Sequence, residues 1–310
     1  MTTPFLTPAF DAYIQPARAK PQIWRLVVGL MVFFIIYIGF VICVTTFTRM
    51  LGWVGMTDAD MNLNTRPSMT EGLFTFAGGL LGIWVVVKLL HGRKFATLLG
   101  PKTSALAPRS GVWRNFAIAA AVVFAVQASW MVATALYLGA VPNQPLMMVL
   151  VFLPLGALLL LVQTGAEELL FRGYLMQQLA ARFKSPVIWM VLPSVVFGLI
   201  HYDPATMGDM VWYIIVALTV SGLVWADLTR ITGNIGAAWG WHFMNNFMLL
   251  NFMTLPETLT GFAWKLTPFG TSDMTPLDML PDIGVSVAIW LVLRRLLRPA
   301  THGTVVHVNT

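Results

Sequence analysis

Between Asn115 and Ala166 the chain reads NFAIAAAVVFAVQASWMVATALYLGAVPNQPLMMVLVFLPLGALLLLVQTGA, without a single charged residue. A helix needs about 20 predominantly apolar residues to cross the hydrocarbon core of a bilayer, so this stretch has room for two crossings. Pro142-Asn143-Gln144-Pro145 interrupts it, and two prolines in four residues favour a turn. The stretch therefore predicts a helical membrane protein, with one span ending near residue 140 and the next beginning near residue 146.

The composition of the whole chain agrees with this class. Of its 310 residues, 57% are hydrophobic and only 10% are charged, whereas soluble domains carry about a quarter charged residues. The single cysteine, Cys43, excludes an internal disulfide, and we interpret it as a small buried apolar residue. The apolar runs predict an all-α protein with about eight membrane spans, at residues 26–48, 72–91, 114–140, 146–176, 186–202, 211–229, 235–253 and 281–297.

The distribution of positive charge predicts the orientation of these spans. If the first span is an uncleaved signal anchor with its N-terminus in the cytoplasm, three Lys and Arg residues (Arg49, Arg66 and Lys265) fall outside and Arg172 falls within a span. The other fifteen fall inside: Arg18, Lys20, Arg25, Lys88, Arg93, Lys94, Lys102, Arg109, Arg114, Arg182, Lys184, Arg230, Arg294, Arg295 and Arg298. We therefore expect both termini in the cytoplasm, and the net charge of +6 reflects membrane topology rather than binding of nucleic acid.

The chain shows no internal repeat and no soluble domain, so we expect one integral membrane domain in three parts. Residues 1–145 would supply N-terminal helices of the bundle, residues 146–253 its functional core, and residues 254–310 an outer loop, the last helix and a tail. The basic loop at about 92–112 suits the inner membrane surface. The short tails and the lack of an organelle signal favour a bacterial inner membrane.

Five ionisable residues lie well inside the predicted spans: Glu167, Glu168, Arg172, His201 and His242. A charged group at the bilayer centre costs about 2.5–3.5 kcal/mol on insertion scales, so such residues face the bundle interior and usually mark a function. Glu168 and Arg172 are four apart and should pair on one helix face. Glu167 is rotated by about 100° from Glu168, which leaves it free for chemistry.

Two further stretches bring polar groups to the same depth. Lys184-Ser185-Pro186 suits a turn between helices, and an antiparallel hairpin closing there brings Glu167 and His201 to one height. Gln177, Gln178, Arg182 and Lys184 would then project into the cytoplasm. Asp227, at the end of its span near Arg230, is interpreted as interfacial, and Arg294 and Arg295 would have to snorkel.

His242 and Asn246, four residues apart, share a helix face, and Gly240 marks a point of close approach. Together the carboxylate, imidazole and carboxamide groups offer a base for a water molecule and donors for an oxyanion. Glu167, His201 and His242 are also three plausible zinc ligands, although no HExxH or GxSxG motif is present. Each pattern alone also fits a purely structural network, and the cluster as a whole could form an ion or proton site of a transporter.

The motifs Glu167-Glu168-x-x-x-Arg172, Phe197-x-x-x-His201 and His242-x-x-x-Asn246 resemble, in this order, the three motifs of the CPBP family. This family comprises type II CAAX prenyl endopeptidases and the bacteriocin-processing or immunity proteins also called Abi proteins. The resemblance covers about residues 146–250.

The resemblance implies an intramembrane endopeptidase that cleaves a membrane-associated or lipidated peptide or protein. Glu167 and His201 would activate the attacking water, His242 and Asn246 would stabilise the oxyanion, and Glu168 and Arg172 would support the site. Either no cofactor or a divalent metal such as zinc is compatible with it, and direct activation by Glu and His is favoured because Asn246 is a poor zinc ligand. The alternative is a non-catalytic scaffold or immunity protein with the same fold.

Overall fold

The computed structural model describes residues 6–101, 111–257 and 259–297, without the side chain of Met279. Within these residues the chain is mostly helical, as predicted. The α-helices are α1 (Pro8–Ile14), α2 (Ile23–Met50), α3 (Asp58–Met61), α4 (Arg66–Phe74), α5 (Phe76–Leu89), α6 (Gly111–Tyr137), α7 (Leu146–Glu168), α8 (Met176–Arg182), α9 (Leu192–Leu199), α10 (Pro204–Met207), α11 (Val211–Thr232), α12 (Gly236–Asn251) and α13 (Met279–Leu296). Two π-helical segments join α7 to α8 and lead into α9: Leu169–Leu175 and Val187–Val191.

Among the described residues, six helical segments are long and apolar enough to cross a membrane: Ile23–Met50, Asp58–Leu89, Gly111–Tyr137, Leu146–Arg182, Pro204–Thr232 and Pro276–Leu296. Their outer faces remain apolar and exposed; on α2, Met31 is 59% and Ile35 is 71% exposed. A soluble protein rarely exposes apolar surface of this extent, whereas lipid tails cover it at no cost. The chain is therefore an integral membrane protein of the all-α class, which confirms the predicted fold class.

Helices cover all eight predicted spans, but two of them are short. The predicted fifth span corresponds to Val187–Leu199 and the predicted seventh to Gly236–Asn251, and neither reaches the length of a full crossing. The number of crossings and the location of the termini thus stay predictions. The two predicted turns are present, since α6 ends at Tyr137 before α7 begins at Leu146, and α8 ends at Arg182 before the next helical segment.

Two interpretations were wrong, that of Cys43 and that of Gln177 and Gln178. Cys43 is exposed on α2, because the helix presents this side outward rather than to the bundle. Gln177 and Gln178 are buried rather than projecting, because the loop after α5 covers them: Arg93 donates to Gln177 and Gln178 donates to His91. The charge of Arg294 does not depend on snorkelling alone, since its Nε lies 3.4 Å from Asp227 Oδ2.

Asp227 is buried at the centre of a second ionic cluster, and its interfacial depth in the membrane stays a prediction. Arg230 Nη2 donates to its Oδ1 at 2.7 Å, and Trp290 Nε1 donates to its Oδ2 at 2.9 Å. Because Trp290 and Arg294 belong to α13, this cluster ties the last helix to α11. Its role is structural, and it lies apart from the glutamate pair.

A small three-stranded sheet closes one end of the bundle. Its strands are β1 (Val141–Pro142), β2 (Met253–Thr254) and β3 (Lys265–Leu266), with β3 in the middle. β1 pairs with β3 in antiparallel register and β2 pairs with β3 in parallel register. The sheet joins the turn between α6 and α7 to the segment that follows α12, and so fixes how these helices meet.

Close contact between α12 and α6 determines where the third motif stands. A Cβ atom added at Gly236 would overlap the backbone of Val112, and one added at Gly240 would overlap the backbone of Phe116. Small residues four apart allow two helix backbones to approach in this way, which confirms the close approach predicted at Gly240. The face of α12 that carries His242 is thereby turned toward α7 and α11.

Candidate active site

The two adjacent glutamates lie where α7 changes its winding. Glu168 is the last residue of α7, and the π-helical segment Leu169–Leu175 follows directly and contains Arg172. Single π-helical turns within α-helices are often found at functional sites, because the extra residue per turn redirects side chains. Here the change of winding falls at the first predicted motif.

Glu168 and Arg172 form the ion pair that their spacing predicted. Arg172 Nη1 donates to Glu168 Oε1 at 3.0 Å, and the Glu168 side chain is fully buried. Arg172 Nη2 also donates to the backbone carbonyl of Gly222 on α11 at 3.3 Å. The guanidinium carbon lies 4.8 Å from the centre of the Phe197 ring and 5.0 Å from that of Trp225, a cation–π arrangement. Neighbours thus hold the guanidinium and Glu168 Oε1, while Glu168 Oε2 is buried without a hydrogen-bond partner among the described residues.

Glu167 has different surroundings from its neighbour. Its Oε1 accepts a hydrogen bond from Gln163 Nε2 at 2.8 Å. Its Oε2 is buried, has no hydrogen-bond partner among the described residues, and faces His242 Nε2 at 3.5 Å. A buried carboxylate oxygen without a partner is costly, and where it occurs in a native site it calls for a functional explanation.

His242 lies between the two glutamates. Its Nδ1 donates to Glu168 Oε1 at 2.9 Å, and its Nε2 is turned to Glu167. The ring is stacked on Trp225, with centroids 4.5 Å apart and planes at 21°, and it meets the edge of Phe197. A histidine whose Nδ1 is occupied by a carboxylate presents Nε2 to its other side in a fixed orientation.

His201 reaches the cluster through Phe197. Its Nδ1 donates to the backbone carbonyl of Phe197 at 2.8 Å, which leaves Nε2 as the nitrogen available for other partners. The Phe197 ring contacts both His201 and His242 edge to face. Within the described residues no hydrogen bond or ion pair joins His201 to Glu167, so the structure brings His242, rather than His201, into contact with Glu167.

Asn246 is connected to Glu167 by a residue that the motif analysis overlooked. Asn246 Nδ2 donates to Gln163 Oε1 at 3.1 Å, and Gln163 in turn donates to Glu167. On the far side, Asn245 Nδ2 donates to Asn246 Oδ1 at 3.3 Å and Gln127 Nε2 donates to Asn245 Oδ1 at 2.9 Å. The available signal was an amide four residues before Glu167 in an otherwise apolar helix, which places both on one face.

The N-terminal helix also reaches this region. The Tyr13 hydroxyl on α1 lies 3.0 Å from the backbone carbonyl of Arg172 and 2.8 Å from that of Leu98, and it is completely buried. Its single proton is shared between these two acceptors. The π-helical segment that carries Arg172 is thereby supported by a residue outside the three motifs.

Among the described residues, the cluster does not group the three ligands that a catalytic zinc ion takes. Zinc in a catalytic site takes three protein ligands, and the candidates were Glu167, His201 and His242. In the part of the chain that the structure describes, no three His, Cys, Asp or Glu side chains are grouped so as to hold a metal ion. Glu167 and His242 face one another, but His201 does not complete a set of three.

Comparisons with known proteins agree with the motifs. The family model for the type II CAAX prenyl endopeptidases, described as Rce1-like, matches residues 143–248. This segment contains both glutamates, both histidines and Asn246, so the predicted resemblance is confirmed over about this third of the chain. The chain is thus a CAAX-protease-like membrane protein.

A curated relative is similar over most of the chain. The uncharacterized protein YyaK of Bacillus subtilis (strain 168) is 26% identical over 263 residues, which cover 81% of this chain and 85% of the relative. No solved structure is significantly similar to the chain. The relative has no described activity, so the comparison extends the similarity beyond residues 143–248 without adding a function.

Proposed function

We propose that the protein is an intramembrane endopeptidase that hydrolyses a peptide bond of a membrane-associated or lipidated protein or peptide. The observation that carries this proposal is the unequal environment of the two glutamates. Each glutamate has a buried Oε2 without a hydrogen-bond partner among the described residues. Glu168, however, is held through Oε1 by Arg172 and His242, whereas Glu167 accepts only from the neutral amide of Gln163. A carboxylate in that position suits the role of a general base.

In the proposed reaction Glu167 takes a proton from a water molecule, whose oxygen attacks the carbonyl carbon of the scissile bond. His201, with its Nε2 not engaged in the hydrogen bond to Phe197, is proposed to share in the activation of the water. The tetrahedral intermediate then breaks its bond to nitrogen, and the proton held by Glu167 passes to the leaving amine. Water is consumed and two chain ends are released, so the reaction needs no further reactant.

The developing oxyanion is assigned to His242 and Asn246. Asn246 uses one amide proton on Gln163, and the second is available for a substrate oxygen. His242 presents Nε2 to the Glu167 side of the site, 3.5 Å from Glu167 Oε2. Preorganised donors of this kind are each worth about 10²–10³ in turnover.

The first experiment replaces Glu167 by Gln, which preserves the size of the side chain and removes its basicity. Membrane proteins from cells with the wild-type chain or the Glu167→Gln variant are compared by mass spectrometry for new chain ends. A fragment seen only with the wild type then defines a substrate peptide for assays with purified protein. We expect cleavage of that peptide to fall by about 10²–10⁴-fold in Glu167→Gln and in His201→Ala.

Asp58→Asn is the matched control, because it removes an exposed carboxylate on α3 and should leave cleavage unchanged. Glu167→Gln, His201→Ala and Asp58→Asn must all reach the membrane in wild-type amounts. Full cleavage by Glu167→Gln would refute the assignment of the base. A cellular phenotype of the deletion that Glu167→Gln fully rescues would favour the non-catalytic scaffold.

A further inference from the structure

A cavity of about 440 Å³ lies at the end of α5, away from the glutamate pair. It is lined by Trp84, Lys88, Gly92, Arg93, Lys94 and Phe95, so three of its six residues are cationic and none is acidic. Arg25 lies beside it and donates from Nη1 to the backbone carbonyl of Leu90 at 2.6 Å. Lys20 lies beside it too, with its Nζ next to Gly92. Five positive charges thus surround one small volume.

These cations lack the carboxylates that would normally neutralise them. In the described ranges of the chain, none of the five forms an ion pair. Arg93 is the clearest case: its Nη2 donates to Gln177 at 2.6 Å, while its Nε and Nη1 are buried without a hydrogen-bond partner. Buried charged donors without a partner are costly, and the cost is removed when an anion accepts from them.

Arg93 keeps its charge under ordinary conditions. Burial lowers the pKa of Arg93 to about 10, which still leaves the guanidinium protonated at neutral pH. The neighbouring lysines have no acidic partner to offset this charge. The cavity therefore holds a concentrated positive field, which selects a ligand with at least one negative charge.

The position of the cavity in the molecule indicates where such a ligand comes from. Leu89, at the end of α5, is 72% exposed, and Trp84, five residues earlier, is 43% exposed, so this end of the helix presents apolar surface to lipid. Lys88 Nζ lies 4.7 Å from the centre of the Trp84 ring. Tryptophan and lysine at the end of an apolar helix are typical of the headgroup region of a bilayer.

The backbone after α5 turns the cationic residues toward this face. Gly92 has φ +64°, a conformation that L residues rarely adopt, and its N–H donates to the carbonyl of Lys88. The N–H of Arg93 then donates to the carbonyl of Val87 at 3.2 Å, which folds the chain back over the helix end. Arg93 and Lys94 are thereby held beside Lys88 rather than extending away from it.

We propose that this cavity binds the phosphate-bearing headgroup of an anionic membrane lipid. Basic pockets at the ends of membrane helices are suited to such headgroups, and each nearby Lys or Arg contributes favourably to the binding. The acyl chains would lie along the exposed apolar face of α5. Arg93 also contacts Gln177 on α8, so a bound headgroup would rest against the continuation of the helix that carries the glutamates. This site is independent of the proposed peptidase reaction.

The test measures lipid binding by detergent-purified full-length protein. Phosphatidylglycerol, phosphatidylcholine or inorganic phosphate is added, and the unfolding temperature and the lipid adducts seen by native mass spectrometry are recorded. We expect phosphatidylglycerol to bind and raise the unfolding temperature, and the other two to have little effect. The double variant Lys88→Gln/Lys94→Gln should bind phosphatidylglycerol about twenty-five-fold more weakly, since each lysine removed weakens binding about fivefold.

The matched control is Lys265→Gln. Lys265 Nζ lies 5.2 Å from the Trp264 ring, the same type of contact as Lys88 with Trp84, but it belongs to β3. Binding in this variant should equal that of the wild type. Arg93→Gln is a less decisive variant, because it also removes the hydrogen bond to Gln177. Equal binding by the double variant and the wild type would overturn the proposal. An equal effect of inorganic phosphate would assign the cavity to the free anion instead of a lipid.

Discussion

At the scale of single residues, the site depends on the different hydrogen-bond partners of the two neighbouring glutamates. Glu168 Oε1 accepts from Arg172 and from His242, whereas Glu167 Oε1 accepts only from Gln163. The amide of Gln163 orients Glu167 and Asn246 together, so one uncharged side chain links the proposed base to the proposed oxyanion donor. We interpret Gln163 as a positioning residue.

We therefore expect Gln163→Leu to lower kcat by about tenfold or more while KM changes little. The substitution removes the hydrogen bond to Glu167 and leaves a buried carboxylate oxygen unsatisfied, at a cost of about 1–3 kcal/mol. The measurement is steady-state cleavage of the peptide identified with the wild type. Gln127→Leu, at the far end of the same network, should have a smaller effect because it contacts Asn245 rather than Glu167. Wild-type kcat in Gln163→Leu would show that Glu167 is positioned without it.

At the scale of helices, the site depends on how closely α12 approaches α6. Gly236 and Gly240 let the two backbones touch at Val112 and Phe116, and the next turn of α12 carries His242 and Asn246. A displacement of α12 would move both side chains away from α7. The surface of α12 that packs against α6 carries no proposed catalytic residue. Its packing nevertheless determines the geometry of the site.

The corresponding prediction compares two glycines. Gly240→Ala should destabilise the protein by about 1–3 kcal/mol and reduce cleavage, because the new methyl group would overlap the backbone of Phe116, which cannot move aside alone. Gly284→Ala on α13 has no atom within 4 Å of the new Cβ. It should be neutral or slightly stabilising, since alanine favours a helix over glycine. Thermal unfolding in detergent measures both, and equal stability of the two variants would contradict the role of close packing.

At the scale of the whole molecule, the orientation in the membrane can be tested by thiol labelling. A Cys43→Ala background removes the native cysteine, and single cysteines are then placed at Lys94 and at Lys265. The excess of Lys and Arg on one side predicts that Lys94 faces the cytoplasm and Lys265 the outside. A membrane-impermeant reagent added to intact cells should label Lys265→Cys and leave Lys94→Cys unlabelled until the cells are opened. The opposite pattern would reverse the predicted topology.

The orientation also decides which leaflet supplies the lipid headgroup and from which side a substrate would reach the glutamates. The small sheet formed by β1, β2 and β3 and the cationic cavity after α5 involve the two residues that the labelling separates, Lys265 and Lys94. The labelling experiment therefore determines on which side of the membrane each end of the bundle lies. The glutamate pair lies within the helical segment Leu146–Arg182, which joins these regions.

By itself the sequence determined the class of the protein, the position of all eight predicted helical segments, and the pair Glu168–Arg172. These follow from local rules: apolar length defines a membrane helix, and a spacing of four residues places two side chains on one face. The sequence also shows that the loop at 92–112 is basic, and its residues 102–110 lie outside the described ranges. That the three motifs belong to one site was predicted from their combined resemblance to the CPBP family, and not from any single motif.

Only the tertiary structure decided which groups meet between helices. It places His242 between Glu167 and Glu168, connects Asn246 to Glu167 through Gln163, and holds His201 against Phe197. Spacing along one helix cannot specify these contacts, because they depend on how far each helix is rotated about its axis and how closely its neighbours approach. The glycines that allow α12 to touch α6 set that distance through contacts between residues remote in sequence, and the change to π-helical winding after Glu168 redirects the side chains that follow it.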